Sequence, residues 1–93
     1  MRRWIIRTEQ GAVYQFHRIA GGPTICFAET TGASYASDLT GKVLEVNNIR
    51  PWPPRCGSAM SFFYRDEDGS AHIRLTNRVI DVDGPGLVAL PLD

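Results

Sequence analysis

The chain has 93 residues, 43% of them hydrophobic and 22% charged, ordinary globular values that exclude disorder, collagen-like repeats and coiled coil. A chain of that length builds one small core, so the sequence predicts a single β domain over 1–93 and places any function on that body or on its self-association. Ten Lys and Arg balance ten Asp and Glu, which removes the global pull expected of a general nucleic-acid or anionic-membrane binder.

Met1-Arg2-Arg3-Trp4-Ile5-Ile6 opens like a secretory leader, but Arg7, Glu9 and Gln10 interrupt it before an apolar stretch forms. The longest weakly polar runs, 19–28 and 87–92, are broken by Gly or Pro and fall well short of the roughly 20 residues of a membrane helix. The expectation is a cytoplasmic protein without membrane contact, with Cys26 and Cys56 as reduced thiols.

Period-two alternation dominates from the start. Trp4 and Ile6 alternate with Arg3, Ile5 and Arg7; Tyr14 and Phe16 alternate with Val13, Gln15 and His17; Glu9-Gln10-Gly11 lies between as a turn. This predicts a β-hairpin. After Ala20-Gly21-Gly22-Pro23 a third strand is predicted over 24–28, with Ile25 and Phe27 on one side and Cys26 and Ala28 on the other. Residues 30–41 are small and polar and read as a long loop, with a short edge strand around Tyr35.

Residues 42–49 resume β character through Val43, Leu44, Val46 and Ile49, and Arg50-Pro51-Trp52-Pro53-Pro54 ends them, since proline cannot donate to a ladder. The next strand, 58–65, sets Met60, Phe62 and Tyr64 on one face and Ser61, Phe63 and Arg65 on the other. Asp66-Glu67-Asp68-Gly69-Ser70 is the strongest hairpin turn in the chain. The return strand, 71–76, is read with Ile73 and Leu75 inside and His72, Arg74 and Thr76 outside. Another strand is predicted over 78–82, closed by Asp83-Gly84-Pro85-Gly86, and Pro91 confines the apolar tail 87–92 to an edge or an end.

No helix-period segment occurs. About six to eight short antiparallel strands with regular turn signals predict an all-β fold, a small barrel or sandwich of SH3-like or OB-like size. Leu87, Val88, Leu90 and Leu92 would make a sticky edge, so a homodimer is the expected state.

The most distinctive local feature is Pro51-Trp52-Pro53-Pro54. A Trp held between prolines is a rigid anchor for a protein partner, or it folds back to plug a barrel end; Pro51-x-x-Pro54 also has the spacing of proline-groove ligands. The tetrapeptide looks like the signature of the PWWP chromatin readers over four residues but differs at the third, and no histone or DNA function is carried over. The two Asp-x-Asp-Gly stretches, 66–69 and 81–84, lack the remaining ligands of an EF-hand loop and read as turns. His17, His72, Cys26 and Cys56 have no zinc-site spacing, and no Gly-x-Ser-x-Gly or phosphate loop is present. The expectation is therefore a non-enzymatic protein with no metal and no cofactor.

Nine of the ten basic residues are arginine. Arg2, Arg3, Arg7 and Arg18 crowd the start, and Asp66, Glu67, Asp68, Asp81, Asp83 and Asp93 the end, which suits self-association or pairing of adjacent strands. Arg74 and Arg78 are placed to pair with Asp81 or Asp83. Arg3, Arg7, Arg18 and Arg65 with Tyr14 and Phe63 compose an arginine and aromatic face of the kind that stacks bases and holds phosphates.

Trp4-Ile-Ile-Arg-Thr-Glu-Gln-Gly-Ala-Val-Tyr14 and Asp68-Gly-Ser-Ala-His-Ile-Arg-Leu-Thr-Asn-Arg-Val-Ile80 resemble the opening hairpin and closing strand of short uncharacterised β-rich proteins of actinobacteria and their phages. That resemblance implies a phage or accessory-genome protein that binds and modulates a host component, without catalytic residues. The leading expectation is thus a non-enzymatic interaction module binding a protein partner through exposed strand edges or through Trp52, Pro51, Pro53 and Pro54. The alternative is a nucleotide or single-stranded nucleic-acid binder that uses Arg7, Tyr14 and Arg65.

Overall fold

The computed structural model describes residues 2–30, 41–66 and 68–85. They form six strands: β1 (Arg2–Thr8), β2 (Ala12–Arg18), β3 (Thr24–Thr30), β4 (Val43–Arg50), β5 (Ala59–Arg65) and β6 (Ala71–Asp83). Each strand pairs antiparallel with the next, and β6 returns to β1, closing a barrel in the order β1-β2-β3-β4-β5-β6. Closure gives every strand a neighbour on both sides, the most complete way to remove sheet edges. The predicted edge strand at Tyr35 and the tail 87–92 lie outside the described residues.

Alternation decides what fills the barrel. Trp4 and Ile6 of β1, Ala12, Tyr14 and Phe16 of β2, Cys26 and Ala28 of β3, Leu44 and Val46 of β4, and Met60 and Phe62 of β5 are buried together with Val79. Aromatic rings make the centre: Phe62 meets Phe16 edge-on at 5.6 Å and Tyr14 at 6.0 Å. Such contacts add to the burial of the rings themselves.

The last strand overturns two expectations. Residues 71–76 and 78–82 belong to one strand of 13 residues, and its faces are reversed: Ile73 and Leu75 are 63% and 60% exposed, whereas Thr76 is buried. The turn fixes this. Asp66 N–H donates to the Ser70 carbonyl and Gly69 N–H to that of Asp66, both at 2.9 Å, with Gly69 at φ 86°, so Arg65 pairs with Ala71, Phe63 with Ile73 and Phe62 with Arg74. Partners directly across an antiparallel ladder share a face. With Phe62 committed to the interior, Ile73 is committed to the outside, because a register slip of one residue would turn every side chain over.

Two irregularities then stretch the inward spacing of β6. The β5–β6 register shifts between Ala59 and Ser61, where the Thr76 hydroxyl accepts from the Met60 N–H at 2.9 Å and donates to the Asn77 carbonyl at 2.7 Å. The β1–β6 register shifts between Arg7 and Thr8, pairing Thr8 with Val79 and Arg7 with Asp81 and leaving Ile80 outside, 57% exposed. Each bulge inserts one residue, so Thr76, Val79 and Val82 point inward at intervals of three. Asp83, expected to open the turn after a strand over 78–82, is instead the last residue of β6. Gly84 follows because a Cβ there would lie 2.3 Å from Cδ1 of Trp4, whose indole N–H donates to the Pro85 carbonyl at 3.0 Å.

Candidate functional site

Two surfaces stand out. The first is the outer face of β5 and β6, where Phe63 lies opposite Ile73 and Ser61 opposite Leu75. Phe63, Ile73 and Leu75 all project outward, forming one apolar stripe across two strands. On β4, Asn47 pairs with Phe63, and two residues earlier in the same outward row stands Glu45. Beyond it Val43 is exposed beside a groove of about 460 Å³ lined by Lys42, Val43, Glu45, Arg65 and Asp66, among others. An apolar centre with a rim of both charge signs is the composition of a protein–protein contact. Exposed apolar groups gathered in this way are more informative than scattered ones.

The second surface is the barrel mouth at the start of β1 and the end of β2. Trp52 leaves β4 with the proline segment, which has cis peptide bonds at Arg50-Pro51 and Trp52-Pro53, and turns its ring into the mouth. There it meets Trp4 edge-on at 4.7 Å and Phe16 at 6.1 Å. Pro54 is buried, and Pro51, Trp52 and Pro53 are half-buried. The ring packs against the buried aromatics while staying half-buried at the mouth. The Arg18 guanidinium lies over the Trp52 ring at 5.2 Å from its centroid.

Of the arginine and aromatic face expected from the sequence, Phe63 and Arg65 share the outer row of β5, but Tyr14 does not join them. Tyr14 is 1% exposed inside the barrel, because it shares the inward row of Phe16. It has no face to offer a base. Arg7 is exposed on β1 and pairs with Asp81 at 3.3 Å, while Arg65 on β5 donates to the Gly69 carbonyl at 2.8 Å. β6 separates these two strands. Arg78 is held by Glu9, its Nε donating to Oε2 at 3.0 Å, in place of the Asp81 or Asp83 expected from the sequence. The basic start and acidic end of the chain therefore meet at Arg7 and Asp81, as pairing of adjacent strands.

The titratable groups are dispersed. Cys26 is a free thiol in the core, its pKa pushed up to about 12 by burial, and Cys56 is a free thiol on the surface. His17 stacks edge-on to Phe27 at 5.1 Å; His72 lies over Tyr64 at 5.2 Å with Asp66 3.3 Å away. The carboxyl of Asp68 is held below the usual range by the Ser70 backbone N–H, which donates to it at 2.9 Å. Among the described residues no three His, Cys, Asp or Glu side chains come together as a metal site.

Sequence reasoning missed the outer stripe because it counted Ile73 and Leu75 as core. The signal available was the turn: five residues from Asp66 to Ser70 bring Arg65 opposite Ala71 and so Phe63 opposite Ile73. Comparison with protein-family models, with curated proteins and with solved structures finds no match.

Proposed function

We propose that the protein is a non-enzymatic interaction module, cytoplasmic and of phage or accessory-genome origin, that binds a protein partner through the outer face of β5 and β6. The observation that carries this reading is the stripe of Phe63, Ile73 and Leu75, brought side by side by the register. The partner it fits first is a second copy of the chain. A two-fold axis through the stripe sets apolar groups of one protomer against those of its partner, and a rim carrying Lys42, Glu45 and Arg65 is able to complement itself.

Sedimentation velocity over a concentration series tests this. Wild-type protein is expected to pass from monomer to dimer, and Ile73→Arg to associate at least about tenfold more weakly, a loss of about 1.4 kcal/mol. Because Ile73 is on the outside, the variant should keep its thermal midpoint at dilutions where both proteins are monomeric, surface changes typically costing within about 0.5 kcal/mol. A wild-type protein that remains monomeric to its solubility limit, or a variant that dimerises equally well, overturns the reading.

A further inference from the structure

We propose that the barrel mouth is a binding site for a phosphate group, built from Arg2 and Arg18 and distinct from the outer face of β5 and β6. Arg2 precedes Trp4 by two residues on β1, and Arg18 follows Phe16 by two on β2. Both therefore continue the inward rows of their strands to the rim. The register pairs them directly, Arg2 with Arg18. Like charges opposite one another in a ladder are unfavourable, and among the described residues no carboxylate forms an ion pair with either. Arg7 and Arg78, by contrast, each have an acid in place. Two arginines set opposite one another and lining one cavity without a counter-charge leave a local positive potential that an oxyanion relieves, and guanidinium donors match phosphate oxygens in pairs.

The site has walls and a fixed floor. A cavity of about 440 Å³ opens between Arg2, Arg18, Trp4, Trp52 and the turn from Ile19 to Gly22. Arg18 is not a freely swinging chain: its guanidinium lies over the Trp52 ring at 5.2 Å, a cation–π contact that orients its plane before any ligand arrives. The indole on which it rests is itself wedged between Trp4 and Phe16. The chemistry selected is a phosphoryl group, either free or carried on a nucleic-acid strand. Tyr14 and Arg65, offered by the sequence for that ligand, take no part; Arg18 supplies the stacked cation instead.

Both tryptophans of the chain line this mouth, so intrinsic fluorescence reports on it directly. Titration with inorganic pyrophosphate and, separately, with a short oligothymidylate is expected to give a saturable change. Arg2→Gln, which leaves the stack of Arg18 on Trp52 in place, and Arg18→Gln should each raise the apparent Kd at least about tenfold while the far-ultraviolet circular dichroism is unchanged. Equal affinity for the two probes assigns the site to a free phosphate; tighter binding of the oligonucleotide, falling steeply with salt, assigns it to a strand. No saturable change with either probe, or wild-type affinity in Arg2→Gln, overturns the proposal. Neither result bears on dimerisation, which Ile73→Arg reads on the outer face of β6.

Discussion

Phe62→Ala is expected to remove a large share of the protein's stability, about 3–5 kcal/mol. Phe62 is fully buried and makes aromatic contacts with Phe16 at 5.6 Å, Tyr14 at 6.0 Å and Tyr64 at 6.2 Å, so truncation removes the ring that joins β5 to β2 across the barrel. A buried Phe→Ala change costs about 3–5 kcal/mol. A domain of this size has a total stability of about 5–14 kcal/mol at the usual contribution per residue, so the loss is a large part of the whole. Urea denaturation monitored by circular dichroism measures the loss. A variant within about 1 kcal/mol of wild type would mean that the centre of the barrel is not where the register puts it.

Trp52→Ala is expected to lower stability by about 2–4 kcal/mol, less than Phe62→Ala because the indole is only half-buried. It withdraws the wedge from Trp4 and Phe16 and the platform from under Arg18. For a domain this small that loss corresponds to a fall in the thermal midpoint of roughly 10–25 °C. Calorimetry is decisive between the two roles a proline-flanked Trp can play: a surface anchor would leave the midpoint unchanged, and a plug lowers it. Dimerisation of whatever fraction stays folded should be unaffected, since the outer stripe lies on β5 and β6.

The architecture was legible wherever one rule acted alone. Alternation over the first hairpin gives the inward row of Trp4, Ile6, Tyr14 and Phe16 correctly, and the same rule places Cys26 opposite in sense to Phe27 and sets Met60, Phe62 and Tyr64 along one side of β5. The all-β barrel follows from those rows and from the turn at Asp66 to Ser70. What alternation could not supply is phase across a turn. Ile73 and Leu75 are apolar and alternate, and a reading by hydrophobicity places them inside; the ladder to β5 decides otherwise, because Phe62 is the larger claim on the interior and the turn length ties the two strands together.

Bulges hid the rest of β6. Thr76, Val79 and Val82 point inward at intervals of three, a spacing that matches no uniform strand, so the sequence reads as two strands broken at Asn77. The polar occupant of the first of these positions is explained by its hydroxyl, which takes the Met60 N–H that the bulge removes from the ladder. The candidate sites were legible only in part for a related reason. Arg2 and Arg18 are set opposite one another by the first hairpin and Trp52 reaches them from the end of β4, whereas Arg7 and Tyr14, close in sequence, are sent to opposite faces.

The central claim is that Ile73 stands on the outside and is covered when two chains meet. The rate of thiol labelling of Ile73→Cys in a Cys56→Ser background, followed over protein concentration, tests it most directly, because the remaining thiol, Cys26, is buried and held un-ionised with a pKa of about 12. The expected result is labelling at the rate of an exposed cysteine in dilute protein, slowing as the concentration rises through the dimerisation range. Slow labelling at every concentration would place residue 73 in the core, and rapid labelling at every concentration would leave the stripe uncovered; either contradicts the account.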